Sequence, residues 1–251
     1  MKFSDAIYKR KSVRAFANHE IEPDLIMRIK LAIDSAARKY KDVQINVVIS
    51  DYCRKSFLAP YYIGIYTDGS RRSEINAGYV LQQVVIYLTA IGIATCYQAD
   101  NAIFREKDYM GRKMTIALAL GYPGGNMYRS RREIKRMKTD KICVYKEEPN
   151  TDMKELLELA RVSPSAYNTQ PWRFVVYSNR MHVFLKKSRV KRIANMEYIN
   201  MGIMLANIVI GAEEKWIDIC MKEQEELKYK KIGSNEYILT VFNRNGDGRR
   251  I

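Results

Sequence analysis

Residues 152–178, DMKELLELARVSPSAYNTQPWRFVVYS, lie without a gap on residues 24–50, DLIMRIKLAIDSAARKYKDVQINVVIS, when the chain is offset by 128 positions. Seven of the 27 pairs are identical: Asp24/Asp152, Leu31/Leu159, Ala32/Ala160, Ser35/Ser163, Val47/Val175, Val48/Val176 and Ser50/Ser178. In each stretch apolar residues recur at helical spacing and then give way to a β-branched run, so each reads as a helix feeding a strand. An offset of 124 extends the match through two long apolar windows, pairing Asn76/Asn200, Gly78/Gly202, Leu81/Leu205, Val85/Val209 and Ile86/Ile210. The order helix, strand, strand, buried helix, strand is predicted twice. The first set is Leu25–Ala36, Val43–Ser50, Tyr61–Tyr66, Ile75–Ala90 and Met114–Leu120, and the second is Met153–Val162, Arg173–Tyr177, His182–Lys186, Ile199–Ala212 and Tyr237–Phe242. Self-similarity of this kind predicts an α+β chain of two tandem, degenerate repeats, residues 1–147 and 148–251. The charged stretch from Arg129 to Asn150 is expected to connect them.

Composition bounds the rest. The 251 residues are 47% hydrophobic and 28% charged, with 13 Gly and 6 Pro, which excludes disordered, collagen-like and low-complexity chains. Cys53, Cys96, Cys143 and Cys220 form no CxxC pair and have only His19 and His182 beside them, so reduced thiols and no zinc site are expected. No signal-peptide pattern follows the basic N-terminus, and the apolar windows are short or broken by Gln82, Gln83 and Asn207. A cytoplasmic protein with no membrane span is the expectation. The net charge of +15 fits nucleic acid, an anionic membrane or a phosphate-bearing ligand. Its densest cluster, Arg129, Arg131, Arg132, Lys135, Arg136, Lys138 and Lys141, reads first as a solvated basic face.

Two segments occur in one copy only. Arg10-Lys11-Ser12-Val13-Arg14 combines guanidinium forks with a hydroxyl, the chemistry of an anion cradle, and Arg14 falls on the side of Arg10 if the turn stays helical. Pro164-Ser165-Ala166-Tyr167-Asn168-Thr169-Gln170-Pro171-Trp172 sets hydroxyl and amide groups between two prolines at a helix-to-strand turn. These are partners for the edge of a polar heterocycle, and Trp172 is expected to anchor the strand in the core.

These residues resemble the nitroreductase family of FMN-dependent oxidoreductases, with its R-[RK]-S-x-[RK] and PSxxNxQPW-like motifs. Gly78–Cys96 looks like the family's long interface helix and following turn, and Leu120-Gly121-Tyr122-Pro123 like its last-strand signature. Family members place FMN at a homodimer interface, between the first motif of one subunit and the second of its partner. With one motif in each repeat, the resemblance implies a fused intrachain pseudo-dimer with one FMN per chain, monomeric or associating further as a homodimer. It implies that Arg10, Ser12 and Arg14, with Lys11 through its backbone or charge, hold the phosphate and pyrimidine side of FMN. Pro164, Ser165, Ala166, Asn168 and Gln170 would line the other side. Arg129 and Arg131, with Arg132 as the alternative, would reach the phosphate, and Gln98, Ala99 and Asp100 would lie near flavin N5.

The chemistry implied is hydride transfer from NADH or NADPH to flavin N5, then reduction of a small electron-poor acceptor such as a nitroaromatic or quinone. Arg14 would stabilise the negative charge that develops near N1 and the C2 carbonyl. No side-chain nucleophile and no metal are needed. Within the same fold, a different reduction or FMN binding with little turnover is the nearest rival. From another class, the rival is a nucleic-acid module using the basic cluster and the 18 Tyr, although Tyr61, Tyr62, Tyr79 and Tyr87 sit in predicted core elements.

Overall fold

The computed structural model describes residues 1–50, 59–98, 108–228 and 234–244. It divides into two compact units, Met1–Ile134 and Lys135–Ile251. The first holds α1 (Phe3–Lys9), α2 (Pro23–Ser35), β1 (Asn46–Ser50), β2 (Tyr61–Thr67), α3 (Arg71–Ala90), β3 (Ala94–Gln98), β4 (Asp108–Tyr109) and β5 (Arg112–Gly121). The second holds α4 (Thr139–Ile142), β6 (Cys143–Tyr145), α5 (Thr151–Arg161), β7 (Trp172–Val176), β8 (Arg180–Lys186), α6 (Lys191–Ala194), α7 (Glu197–Glu214), β9 (Ile219–Lys222), α8 (Glu225–Lys228) and β10 (Asn235–Asn243).

Local chemistry sets the boundaries of the helices. Pro23 opens α2, where its missing N–H costs nothing, and Ile29 and Ile33 face inward. Ser70 caps α3 by accepting from the Ser73 amide, and Asn150 caps α5 by accepting from Met153. Both α3 and α7 are buried along most of their length. The stretch Lys191–Glu214 is long and apolar enough to cross a bilayer, but 67% of its most apolar window is buried inside the protein, as a core helix is. A Cβ on Gly211 of α7 would sit 2.3 Å from Leu159 Cδ1, so glycine there lets α5 and α7 close on each other.

The sheets run β1-β2-β5-β3, with β4 also on β5, and β6-β7-β8-β10-β9. Leaving β4 and β6 aside, the two topologies coincide element for element. In each, the strand after α2 or α5 starts the row, and the strand after the long helix, α3 or α7, ends it. Each sheet also has one register shift in the same strand pair: Thr115 of β5 is extra opposite Ile65/Tyr66, and Ile238 of β10 is extra opposite Val183/Phe184.

Three expectations need correction. The boundary falls after Ile134 and not after Glu147, because β6 pairs in parallel with β7 and the 135–137 segment bonds to Asn168 and Gln170. Residues 135–147 therefore belong to the second unit and are no connector. The strand expected from Val43 begins at Asn46, since the Val43 amide closes a turn onto Tyr40 and its carbonyl accepts from Asn76. The strands β3 and β9 follow the long helices and were absent from the predicted order.

Candidate functional site

In the first unit, α1 ends at Lys9 and Arg10 turns extended (φ −59°, ψ 138°), so residues 10–14 are not a helical turn and Arg14 reaches its place by another route. Main-chain bonds strap the segment down on two sides. Val13 N donates to Thr95 O of β3 at 2.9 Å, Ala17 N to Tyr122 O, Gly124 N to Ala15 O, and Arg129 N to Lys9 O at 2.8 Å. Gly121 is required beneath this strap, because a Cβ there would lie 2.6 Å from Pro60 Cδ. The last-strand signature thus serves to seat the basic segment.

The strap brings two guanidinium groups together. Arg10 is 4% exposed and reaches Ser12 Oγ at 3.4 Å, while its Nε is buried with no hydrogen-bond partner among the described residues. Arg129 donates through Nε to Tyr8 O at 3.1 Å, and its Nη2 is likewise buried without a partner. Burial first, then the charge of Arg10, holds Arg129 down at about 10, with Glu133 acting in the opposite direction. Burial also lowers Arg10. A buried donor left unpaired costs about 1–3 kcal/mol, and the two like charges repel. An anion with several acceptor oxygens would answer both.

Other predicted residues fall nearby or elsewhere. The charges of Arg14 and Arg10 both act on the Cys96 thiol, which burial pushes up, so Arg14 lies on the same stretch of β3 although it is exposed. Gln98 is buried at the end of β3 with Nε2 donating back to Cys96 O. Ala99 and Asp100 lie outside the described residues. Lys11 is half-buried and Ser12 exposed. Arg131 lies over the Tyr8 ring, 3.8 Å from its centroid, and Arg132 is exposed.

In the second unit, Pro164–Pro171 forms a turn with three non-glycine residues in the left-handed region: Tyr167 (φ 53°), Asn168 (φ 54°) and Gln170 (φ 47°). Each such residue costs on the order of 1–3 kcal/mol and persists only where its surroundings over-determine it. The surroundings are specific. Ser165 Oγ accepts from Gln170 N at 3.0 Å, and Asn200 Oδ1 accepts from Ala166 N at 2.9 Å. Trp172 is fully buried, as expected, and fixes the start of β7.

The amide heads of Asn168 and Gln170 point to partners the sequence did not disclose. Asn168 Oδ1 accepts from Arg136 Nη1 at 2.9 Å and its Nδ2 donates to Lys135 O, while Gln170 Oε1 accepts from Met137 N at 2.7 Å. These side chains shape the turn and are not held out for a heterocycle. Sequence reasoning missed Arg136, which it placed on a solvated face, and the role of Asn200, whose only signal was its pairing with Asn76. The solvated reading does hold for Arg132, Lys135, Lys138 and Lys141.

Comparison with known proteins supplies the family. The family model described as "Putative TM nitroreductase" matches residues 2–212. An oxygen-insensitive NADPH nitroreductase of Helicobacter pylori J99 is 45% identical over 51 residues, 20% of this chain and 21% of that protein. The corresponding protein of strain 26695 is 43% identical over 51 residues. The chain thus matches about a fifth of the length of these curated relatives. The crystal structure of a putative nitroreductase from Thermotoga maritima is 20% identical and covers 97% of this chain and 94% of its own, with a TM-score of 0.66, which shows a shared fold. The α+β architecture is therefore the nitroreductase fold, and the chain belongs to this nitroreductase family.

Proposed function

We propose that this protein is an FMN-dependent oxidoreductase that takes hydride from NADH or NADPH and reduces a small electron-poor acceptor such as a nitroaromatic or quinone. The observation that carries the reading is the pair Arg10, buried, and Arg129, half-buried, each with a buried donor left unpaired and the two with a mutual repulsion that a phosphate relieves. That donor set fits the phosphate of FMN. When bound, FMN supplies the hydride chemistry itself. Arg10 and Arg129 would hold its phosphate, with Ser12 orienting Arg10, and Lys11 and Arg14 would add positive charge for the reduced flavin. Arg131 is engaged on Tyr8 and serves the cradle by packing. The turn Pro164-Ser165-Ala166 and its left-handed continuation offer fixed backbone groups, while Asn168 and Gln170 act by holding that backbone. Gln98, at the end of β3, belongs to the reading as a flavin neighbour, and Ala99 belongs to it by its place in the sequence.

Because each motif occurs once and the two units repeat one topology, we infer a duplicated chain with one FMN, able to act as a monomer. The test is to purify the chain, record its visible absorbance and measure FMN per polypeptide after denaturation. About one FMN, bleached by NADH or NADPH without oxygen, is the expected result, and Arg10→Ala and Gln170→Ala should each lower FMN retention. A colourless chain that does not bind added FMN would overturn the reading.

A further inference from the structure

We propose that Arg136 is a positioning residue for the flavin-side turn, acting through Asn168 and never touching the cofactor. The proposal rests on the FMN reading above. Arg136 donates through Nε to Ser163 O at 2.8 Å and through Nη1 to Lys135 O at 2.8 Å and Asn168 Oδ1 at 2.9 Å. One planar fork therefore ties the residue before Pro164 to the middle of the turn. Lysine has the charge but not this geometry. Ser163 is itself fixed, since its hydroxyl donates to Leu159 O and accepts from Asn207 Nδ2 in the core. The anchor is rigid and the held residue, Asn168, is one of the three left-handed positions.

The remaining restraints are of another kind. Asn200 and Ser165 act on the amides of Ala166 and Gln170 at the two ends of the turn, and within it Asn168 N donates to Ser165 O, Thr169 N to Ala166 O and Gln170 Nε2 to Asn168 O. None of these ties the Asn168 side chain to the anchor at Ser163. Asn168 is exposed, and its amide head bonds to the 135–136 segment through Arg136 Nη1 and Lys135 O. Releasing the fork removes the charged tie on the Asn168 side chain and leaves the turn held by its local bonds alone. The expected consequence is a turn that still forms but samples right-handed conformations, so that FMN binding must select the competent fraction.

The experiment uses the full chain with FMN. Arg136→Lys, which keeps the charge, and Arg136→Gln, which removes it, are compared with wild type for FMN dissociation constant, for the visible circular dichroism of bound FMN, and for urea midpoint without FMN. The expected result is a loss of FMN affinity of about ten- to a hundredfold, the scale of one charge-assisted hydrogen bond. An altered visible dichroism band and a nearly unchanged urea midpoint should accompany it. Asn168→Ala should give the same phenotype, and the double variant should be no worse than the weaker-binding single one, since both act through one bond. Unchanged affinity and dichroism in the Arg136 variants, or additive losses in the double variant, would overturn the proposal while leaving FMN binding intact. A wild-type chain that binds no FMN would instead overturn the functional reading, and this proposal with it.

Discussion

The connection from α2 to β1 and the connection from α5 to β7 hang from the same position on their long helices. Asn76 closes the first completely, with Oδ1 accepting from Tyr40 N and Nδ2 donating to Tyr40 O at 2.8 Å and Val43 O at 3.3 Å. Asn200 closes the second only in part: Oδ1 accepts from Ala166 N, but Nδ2 is buried with no partner among the described residues. No residue from 36 to 45 has a positive φ, whereas three of the nine from 164 to 172 do. One scaffold thus carries a relaxed connection in one unit and a costly one in the other. Unsatisfied donors and left-handed backbone cost stability, and on the function proposed above they are kept because the turn lines the flavin.

The contrast should be largest at the end of the turn. Trp172→Ala is expected to cost about 3–5 kcal/mol in urea denaturation, while the aligned and exposed Gln44→Ala should cost less than about 0.5 kcal/mol. A small effect at Trp172 would break the assignment of that ring to the core. Next, Asn76→Ala should cost about 2–3 kcal/mol, because three backbone bonds are lost, and Asn200→Ala only about 1 kcal/mol. The reverse order would mean that Asn200 Nδ2 is engaged after all.

Titration separates the openings of the two long helices. Burial, then the charge of Asp68, raises the Glu74 carboxyl to about 7, and burial also raises Glu197, which accepts from Ser188 N. A carboxyl whose folded pKa is raised binds its proton more tightly in the folded state. The stability it contributes is complete below about 4.5 and is lost as pH rises to about 7. Glu74→Gln should therefore remove a decline of about 1–2 kcal/mol between pH 5 and 8, reduced from the full linkage value by partial solvation, with a smaller effect from Glu197→Gln. Asp68 has the opposite sign: hydrogen bonds from Ser73 and Ser70 hold it at about 2, so its contribution is lost as pH falls. Urea midpoints across pH check all three.

The last expected effect is a gain. Tyr167→Gly should relieve one left-handed position and lose the contact of Arg192 over the ring, for a net stabilisation of about 0.5–1 kcal/mol in thermal denaturation. A loss would show that this position is held at little cost.

Elements with strong periodicity were legible, including α3, α7 and the central strands β2, β5, β8 and β10, because burial on both sides writes long apolar runs. The two strands that escaped, β3 and β9, are short, at five and four residues, and β3 carries Thr, Tyr and Gln among its five. Edge pairing leaves little pattern to read. The second motif was legible as a turn with a core Trp, but not its partners: the sequence shows Asn168 and Gln170 as amides without showing that both bond to Lys135–Met137. Arg136 was hidden for the same reason, since one arginine among seven basic residues has no signature until its acceptors are known.

The strap that seats residues 9–17 is built from main-chain groups, at Val13, Ala15, Ala17, Lys9 and Arg129. Its register is thus indifferent to which side chains stand at positions 11, 12 and 14, where Ser12 and Arg14 are exposed and Lys11 half-buried. Those three positions form a natural library. Exchanging them re-tunes the charge offered to a bound anion without unseating the backbone that presents it, a freedom open to evolution and to the protein engineer alike.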